Sequence, residues 1–157
     1  DSSSWNMTVS FWMNWSGDTN YYEWIFDFRN DENWTDNYCW MTWLSNSNKF
    51  LFHWVSAYIT GFTPTIWTWY NMVCVVDNWN YYIYQNWNTS PIKTGSYTFN
   101  SASTKLCIWG YYSDEQSTMR KEWFNWKVGD IILENKARTA QEIADYYNQT
   151  KANYWIS

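Results

Sequence analysis

Residues 69–77 read Trp69-Tyr70-Asn71-Met72-Val73-Cys74-Val75-Val76-Asp77, and residues 81–84 return as Tyr81-Tyr82-Ile83-Tyr84. Met72 to Val76 is apolar at every position and lacks the polar alternation of a strand with one wet face. It is therefore expected to be a central strand between two packed layers. The period of two sends Val73 and Val75 to one side and Met72, Cys74 and Val76 to the other. Asp77-Asn78-Trp79-Asn80 supplies a tight turn, so the two runs form a hairpin at the heart of one sheet.

Outward from this hairpin, short β-branched and aromatic runs alternate with Asn, Asp, Ser and Gly, the spacing of an all-β sandwich or barrel. Strands are predicted near Asn6 to Met13, Glu23 to Phe28, Tyr38 to Leu44, Lys49 to Tyr58, Thr68 to Val76, Tyr81 to Gln85, Gly95 to Phe99, Lys105 to Trp109 and Val128 to Glu134. One helix is well specified, from about Ala140 to Asn148. Thr139 caps it, Glu142 stands three residues on as in a capping box, and Ala140, Ile143, Ala144 and Tyr147 recur on one face. A single short amphipathic helix after many strands covers part of a sandwich, with Ile143, Ala144 and Tyr147 inward and Gln141, Asp145 and Gln149 outward.

The 157 residues suit one domain, 1–157, cut from a longer protein. Charged residues make up 16% of the chain and the net charge is -5, so no basic field is present to attract nucleic acid or anionic lipid. No apolar run approaches the roughly 20 residues of a membrane span, so membrane insertion is not expected. Cys39, Cys74 and Cys107 are odd in number and widely spaced, and read as buried thiols. His53, the single histidine, reads as a strand side chain rather than a zinc ligand. Glycosylation patterns begin at Asn6, Asn14, Asn33, Asn88 and Asn148, as in a secreted or cell-surface protein, although a chain rich in Asn, Ser and Thr also makes such triplets by chance.

Three segments resemble the laminin-G-like domains of the concanavalin A-like lectin and glucanase superfamily. Met7-Thr8-Val9-Ser10-Phe11-Trp12-Met13 is similar to the family's first long strand. Trp69 to Asp77 with Tyr82-Ile83-Tyr84 is similar to its tryptophan-led strand and hairpin partner. Phe124 to Asn135 followed by Thr139-Ala140-Gln141-Glu142-Ile143 is similar to its closing strand and capped helix. The sequence departs from the family at Asn71, commonly histidine there, and at Trp79, Trp87, Trp109 and Trp126, where the family has glycine. The resemblance implies an antiparallel jelly-roll β-sandwich with one short C-terminal helix packed on it. It also implies a secreted or surface-displayed binding module whose partner is a glycan or a surface protein. A structural calcium ion is in keeping with it, and Asp130, Asp18 and Asp31 are the candidate oxygen donors.

Glycoside hydrolysis needs two carboxyl groups facing one bond. The nearest arrangement is Glu23 and Asp27, four residues apart on one strand, for which a salt bridge is an equal explanation. No catalytic residue is therefore assigned, and a non-enzymatic module is expected. Sugar binding needs a ring face to stack on beside polar groups. The candidates on loops are Tyr21 and Tyr22, Trp34 with Asp36, and Tyr111 and Tyr112 with Asp114, although each aromatic serves equally as core or turn packing.

The chain holds 16 tryptophans beside 5 glycines, against about 11 glycines at an average usage of roughly 7%. Asn14-Trp15, Asn33-Trp34, Asn78-Trp79, Asn86-Trp87 and Asn125-Trp126 each become Asn-Gly, the strongest two-residue turn signal, on one substitution. Trp109-Gly110 likewise becomes Gly-Gly. This pattern motivates the hypothesis that the gene comes from a bacterial lineage or its phage that reads UGA as glycine, and was translated with UGA as tryptophan. A tryptophan-rich sugar binder is the alternative. Under recoding, the affected tryptophans should occupy exposed turns, often at positive φ, while Trp12 and Trp69 should be buried.

Overall fold

A computed structural model describes residues 6–17, 23–27, 40–44, 49–53, 58–59, 62–96, 107–108, 111–113, 118–120 and 126–156. In chain order the elements are β1 (Asn6–Trp15), β2 (Glu23–Asp27), β3 (Trp40–Leu44), β4 (Lys49–His53), β5 (Tyr58–Ile59), β6 (Trp69–Asp77), β7 (Asn80–Gln85) and β8 (Lys93–Ser96). They continue with β9 (Cys107–Ile108), β10 (Tyr111–Ser113), β11 (Thr118–Arg120), β12 (Trp126–Glu134), α1 (Ala140–Thr150) and a closing 3₁₀ turn, Lys151–Tyr154. The fold is all-β, every strand pair among the described residues is antiparallel, and one C-terminal helix packs on a sheet.

The contacts divide the chain into two compact units. One carries the sheet β12-β1-β6-β7-β8 together with α1 and the 3₁₀ turn. The other carries the sheet β5-β4-β3-β2-β9 and the pair β10-β11. His53 is a strand residue, paired with Trp40. The register of β2 shifts between Trp24 and Phe26, so Glu23 pairs with Trp43 and Asp27 with Trp40. Tyr111 and Tyr112, expected in a loop, lie on β10 opposite Arg120 and Met119. Two aromatic residues favour an extended backbone once a partner strand is present, and β11 is that partner.

In the first unit the central hairpin is as expected. β6 pairs with β7 from Met72↔Gln85 to Asp77↔Asn80, closing on the Asn78-Trp79 turn. Residues 71–76 are all buried. Val73 and Val75 pack with Tyr84 and Ile143, bringing Tyr82, Ala137 and Ala140 against the same cluster. Met72, Cys74 and Val76 are buried on the opposite face, where desolvation raises the Cys74 thiol pKa well above its ordinary value. β1 runs beside β6 and is buried along most of its length although it is not uniformly apolar. On the helix-facing side its residues are Thr8, Ser10, Trp12 and Asn14, in register with Val75, Val73, Asn71 and Trp69.

Thr8 shows how a polar group is accommodated there. Its hydroxyl donates to the Lys136 carbonyl at 2.7 Å and accepts from the Arg138 amide at 3.0 Å, so the link from β12 to α1 is tied to the first strand. The helix then starts on a full capping box. The Glu142 amide donates to Thr139 Oγ1 at 3.2 Å, and the Thr139 amide donates to Glu142 Oε2 at 2.8 Å. Ile143, Ala144 and Tyr147 are buried, whereas Gln141, Asp145 and Gln149 are exposed.

Truncation of Ile143 to Ala should destabilise the protein by about 2–5 kcal/mol in urea unfolding, while Gln141→Ala should stay within about 0.5 kcal/mol of the parent. A pH dependence should accompany the cap. Hydrogen bonds from the Lys136 ammonium and the Thr139 amide lower the Glu142 carboxyl from 4.5 to about 2. A depressed carboxylate stabilises the fold above its unfolded pKa and ceases to do so as pH falls through the folded value. The unfolding midpoint should therefore drop between pH 4.5 and about 2, and Glu142→Gln should flatten that part of the profile.

Candidate ligand-binding cleft

At the end of the first unit's sheet, three neighbouring strands place one residue each in a single row: Lys127 on β12, Asn14 on β1 and Trp69 on β6. Opposed residues of an antiparallel sheet project to the same face, so an ammonium, a carboxamide and an indole stand side by side. The 3₁₀ turn brings Tyr154 over this row. Its ring stacks on Trp12 at 4.3 Å and 18° and meets Trp69 at 4.7 Å and 57°. Trp12 also stacks on Tyr147 of α1 at 5.3 Å. An aromatic ladder thus runs from the helix, through the buried core, to the sheet end.

Tyr154 reaches that position because Gly129 has no side chain: a Cβ at this residue would collide with the Tyr154 ring and hydroxyl. Next to it the register of β12 against β1 slips, Ser10 pairing with Ile132 and Trp12 with Gly129, and Asp130 takes φ 44°. This is a β-bulge with its left-handed residue at an aspartate, a residue that tolerates the conformation. The Tyr154 hydroxyl is held above the ordinary tyrosine pKa by burial first, and then by its hydrogen bond to Asp130 and that carboxylate's charge.

The result is a cleft of about 420 Å³ lined by Asn14, Trp67, Thr68, Trp69, Lys127, Tyr154, Trp155 and Ile156. Asn14 is only 5% exposed, and its carboxamide oxygen has no hydrogen-bond partner. A buried acceptor without a partner carries a desolvation cost of about 1–3 kcal/mol. Asn14 is also too enclosed to accept a glycan, so the pattern at Asn14-Trp15-Ser16 is not a modification site. Among the described lining residues the polar side-chain groups are an amide, hydroxyls, indole N–H donors and one ammonium.

None of the sequence-predicted site residues that the structure describes lies in this cleft. Tyr21, Tyr22, Trp34, Asp36 and Asp114 fall outside the described residues, and Tyr111 and Tyr112 belong to the other unit. Of the candidate calcium ligands, Asp18 and Asp31 are outside the described residues. Asp130 is engaged by Tyr154, and no group of three metal-ligating side chains forms among the described residues. Sequence reasoning missed Asn14, Lys127 and Tyr154 because what unites them is cross-strand register. Trp69, at the head of the central strand, was the one visible signal.

Gly129→Ala should push Tyr154 off Trp12 and Trp69 and destabilise the fold by about 1–3 kcal/mol, with loss of near-UV circular dichroism from the stacked rings.

No family model matches this chain, and no curated protein is similar to it in sequence. Solved structures are similar to it in fold. A mutant of Trypanosoma rangeli sialidase displaying trans-sialidase activity superposes with a TM-score of 0.67 at 11% identity, over 96% of this chain and 24% of that one. A structure of botulinum neurotoxin type C, whose cell entry depends on interaction with two ganglioside molecules, gives 0.61 at 15% identity, over 92% of this chain and 36% of that one. The native heptameric SAP-like pentraxin from Limulus polyphemus gives 0.60 at 16% identity, over 90% of this chain and 69% of that one. This chain thus spans about a quarter of the sialidase and about a third of the neurotoxin chain. The shared architecture is the antiparallel jelly-roll β-sandwich. No helix among the described residues is long and apolar enough to cross a membrane.

Proposed function

We propose that this chain is a non-catalytic, laminin-G-like binding module of a secreted or surface-displayed protein, and that it recognises carbohydrate in the cleft formed by Asn14, Trp69, Lys127 and Tyr154. The observation that carries the proposal is the buried, unpartnered Asn14 oxygen, set beside the Trp69 and Tyr154 rings. A sugar has complementary chemistry: a hydroxyl to donate to the amide oxygen and an apolar ring face to pack on the aromatics. Lys127 adds a charge-assisted donor, which suits a sugar bearing a carboxylate. The ganglioside interaction of the neurotoxin and the sialidase activity of the trypanosomal protein concern sugars on related folds, and they support this choice.

The absence of catalysis is part of the proposal. Most glycoside hydrolases use an acid and a second carboxyl group on either side of the bond, and the described lining supplies neither.

A glycan array followed by titration calorimetry tests this. Acidic glycans should bind. Trp69→Ala should weaken the complex about threefold to tenfold through lost stacking, and Lys127→Ala on the order of tenfold to a hundredfold through the lost charge-assisted bond. Failure to bind any glycan, or binding indifferent to both substitutions, would overturn the assignment, as would retention of a protein ligand stripped of its sugars. Turnover of a β-glucan that vanishes in Glu23→Gln would show an enzyme instead.

A further inference from the structure

We propose that positions 67, 79, 87 and 155 are glycine in the protein that its own cells make, their codons being UGA read as glycine. The argument starts at the chain's last turn. Trp155 closes the 3₁₀ segment in the left-handed region at φ 57°, ψ 34°. The Trp155 amide donates to the Ala152 carbonyl at 3.2 Å, and the Ile156 amide to the Lys151 carbonyl at 3.3 Å. That pair of bonds is a Schellman closure, in which the left-handed residue is ordinarily glycine because a Cβ there crowds the backbone. Trp67 repeats the demand, at φ 61° in the turn that leads into β6.

Neither tryptophan gains from burial what it loses in backbone strain, since Trp155 is 92% exposed and Trp67 is 64% exposed. The other described non-glycine residues at positive φ are Asn78, Asn86 and Asp130. Their short polar side chains tolerate this region through local hydrogen bonds, a resource that tryptophan lacks. Trp79 and Trp87 are exposed and directly follow Asn78 and Asn86 in two turns. Glycine at both positions makes each an Asn-Gly turn. In these two turns the left-handed residue is the asparagine, and the geometry at Trp79 and Trp87 is permissive rather than demanding. Trp12 lies buried inside β1 and stacked on both sides, and Trp15 is buried at its end, so the backbone asks for glycine at neither. Trp69 is half-buried at the start of β6.

The consequence for the ligand rests on the glycan-binding proposal. Trp67 and Trp155 are the exposed walls of the cleft. As glycines they leave a wider mouth over Asn14, Trp69, Lys127 and Tyr154, and these four residues, with Thr68 and Ile156, form the ligand-facing surface.

Sequencing the gene should show UGA at 67, 79, 87 and 155 and UGG at 12 and 69, and UGG at 67 and 155 would overturn the recoding. Independently, the Trp67→Gly/Trp155→Gly double variant should melt about 2–4 °C higher per substitution, and a lower midpoint would argue against glycine at these sites. Glycan binding is then measured on that variant, which under recoding is the native form of the cleft. A raised midpoint with no glycan binding would defeat the ligand assignment while leaving the recoding intact. UGG codons with intact glycan binding would do the reverse.

Discussion

Trp12 holds the first unit together. Its indole is fully buried on β1 and stacks on Tyr147 of the helix and Tyr154 of the closing turn, so one side chain fixes two later elements to the sheet. Aromatic pairs of this kind add about 0.5–1.5 kcal/mol each beyond the area they bury, and their offset geometry also sets orientation. Because Tyr154 is fixed on Trp12, it reaches Trp69 and passes over Gly129, and the end of the sheet becomes a cleft rather than a bare edge.

The helix-facing side of β1 carries a polar row, Thr8, Ser10 and Asn14, in a setting that otherwise excludes water. The two ends of this row are treated differently. Thr8 exchanges hydrogen bonds with the segment that precedes α1 and serves the architecture. Asn14 has an oxygen without a protein partner and faces the cleft. The same strand therefore anchors the helix at one end and offers an acceptor at the other.

The tryptophans fall into two physical classes. Trp12 and Trp15 sit inside packed structure, and Trp69 is half enclosed at the head of its strand. Trp67, Trp79, Trp87 and Trp155 project from turns, two of them on a backbone that disfavours any Cβ. A carbohydrate site is commonly inferred from exposed tryptophans. Here the exposed ones are the least trustworthy guides, and the half-buried Trp69 and Tyr154 pair is the better one.

The amino-acid sequence by itself determined the antiparallel class, the two-faced central strand from Met72 to Val76 and the capped helix at Ala140. Each is written in local periodicity or in a contact three residues long, as in the reciprocal bonds of Thr139 and Glu142. It also showed the anomalous count of tryptophan against glycine, though it placed Asn14-Trp15 in a turn when it is the buried end of β1. Only the tertiary structure decided the cleft. Lys127, Asn14 and Trp69 come from three distant parts of the chain and meet through strand register. The register of β12 on β1 shifts at the β-bulge beside Asp130, and the seat of Tyr154 depends on the space left at Gly129, features that no local pattern encodes.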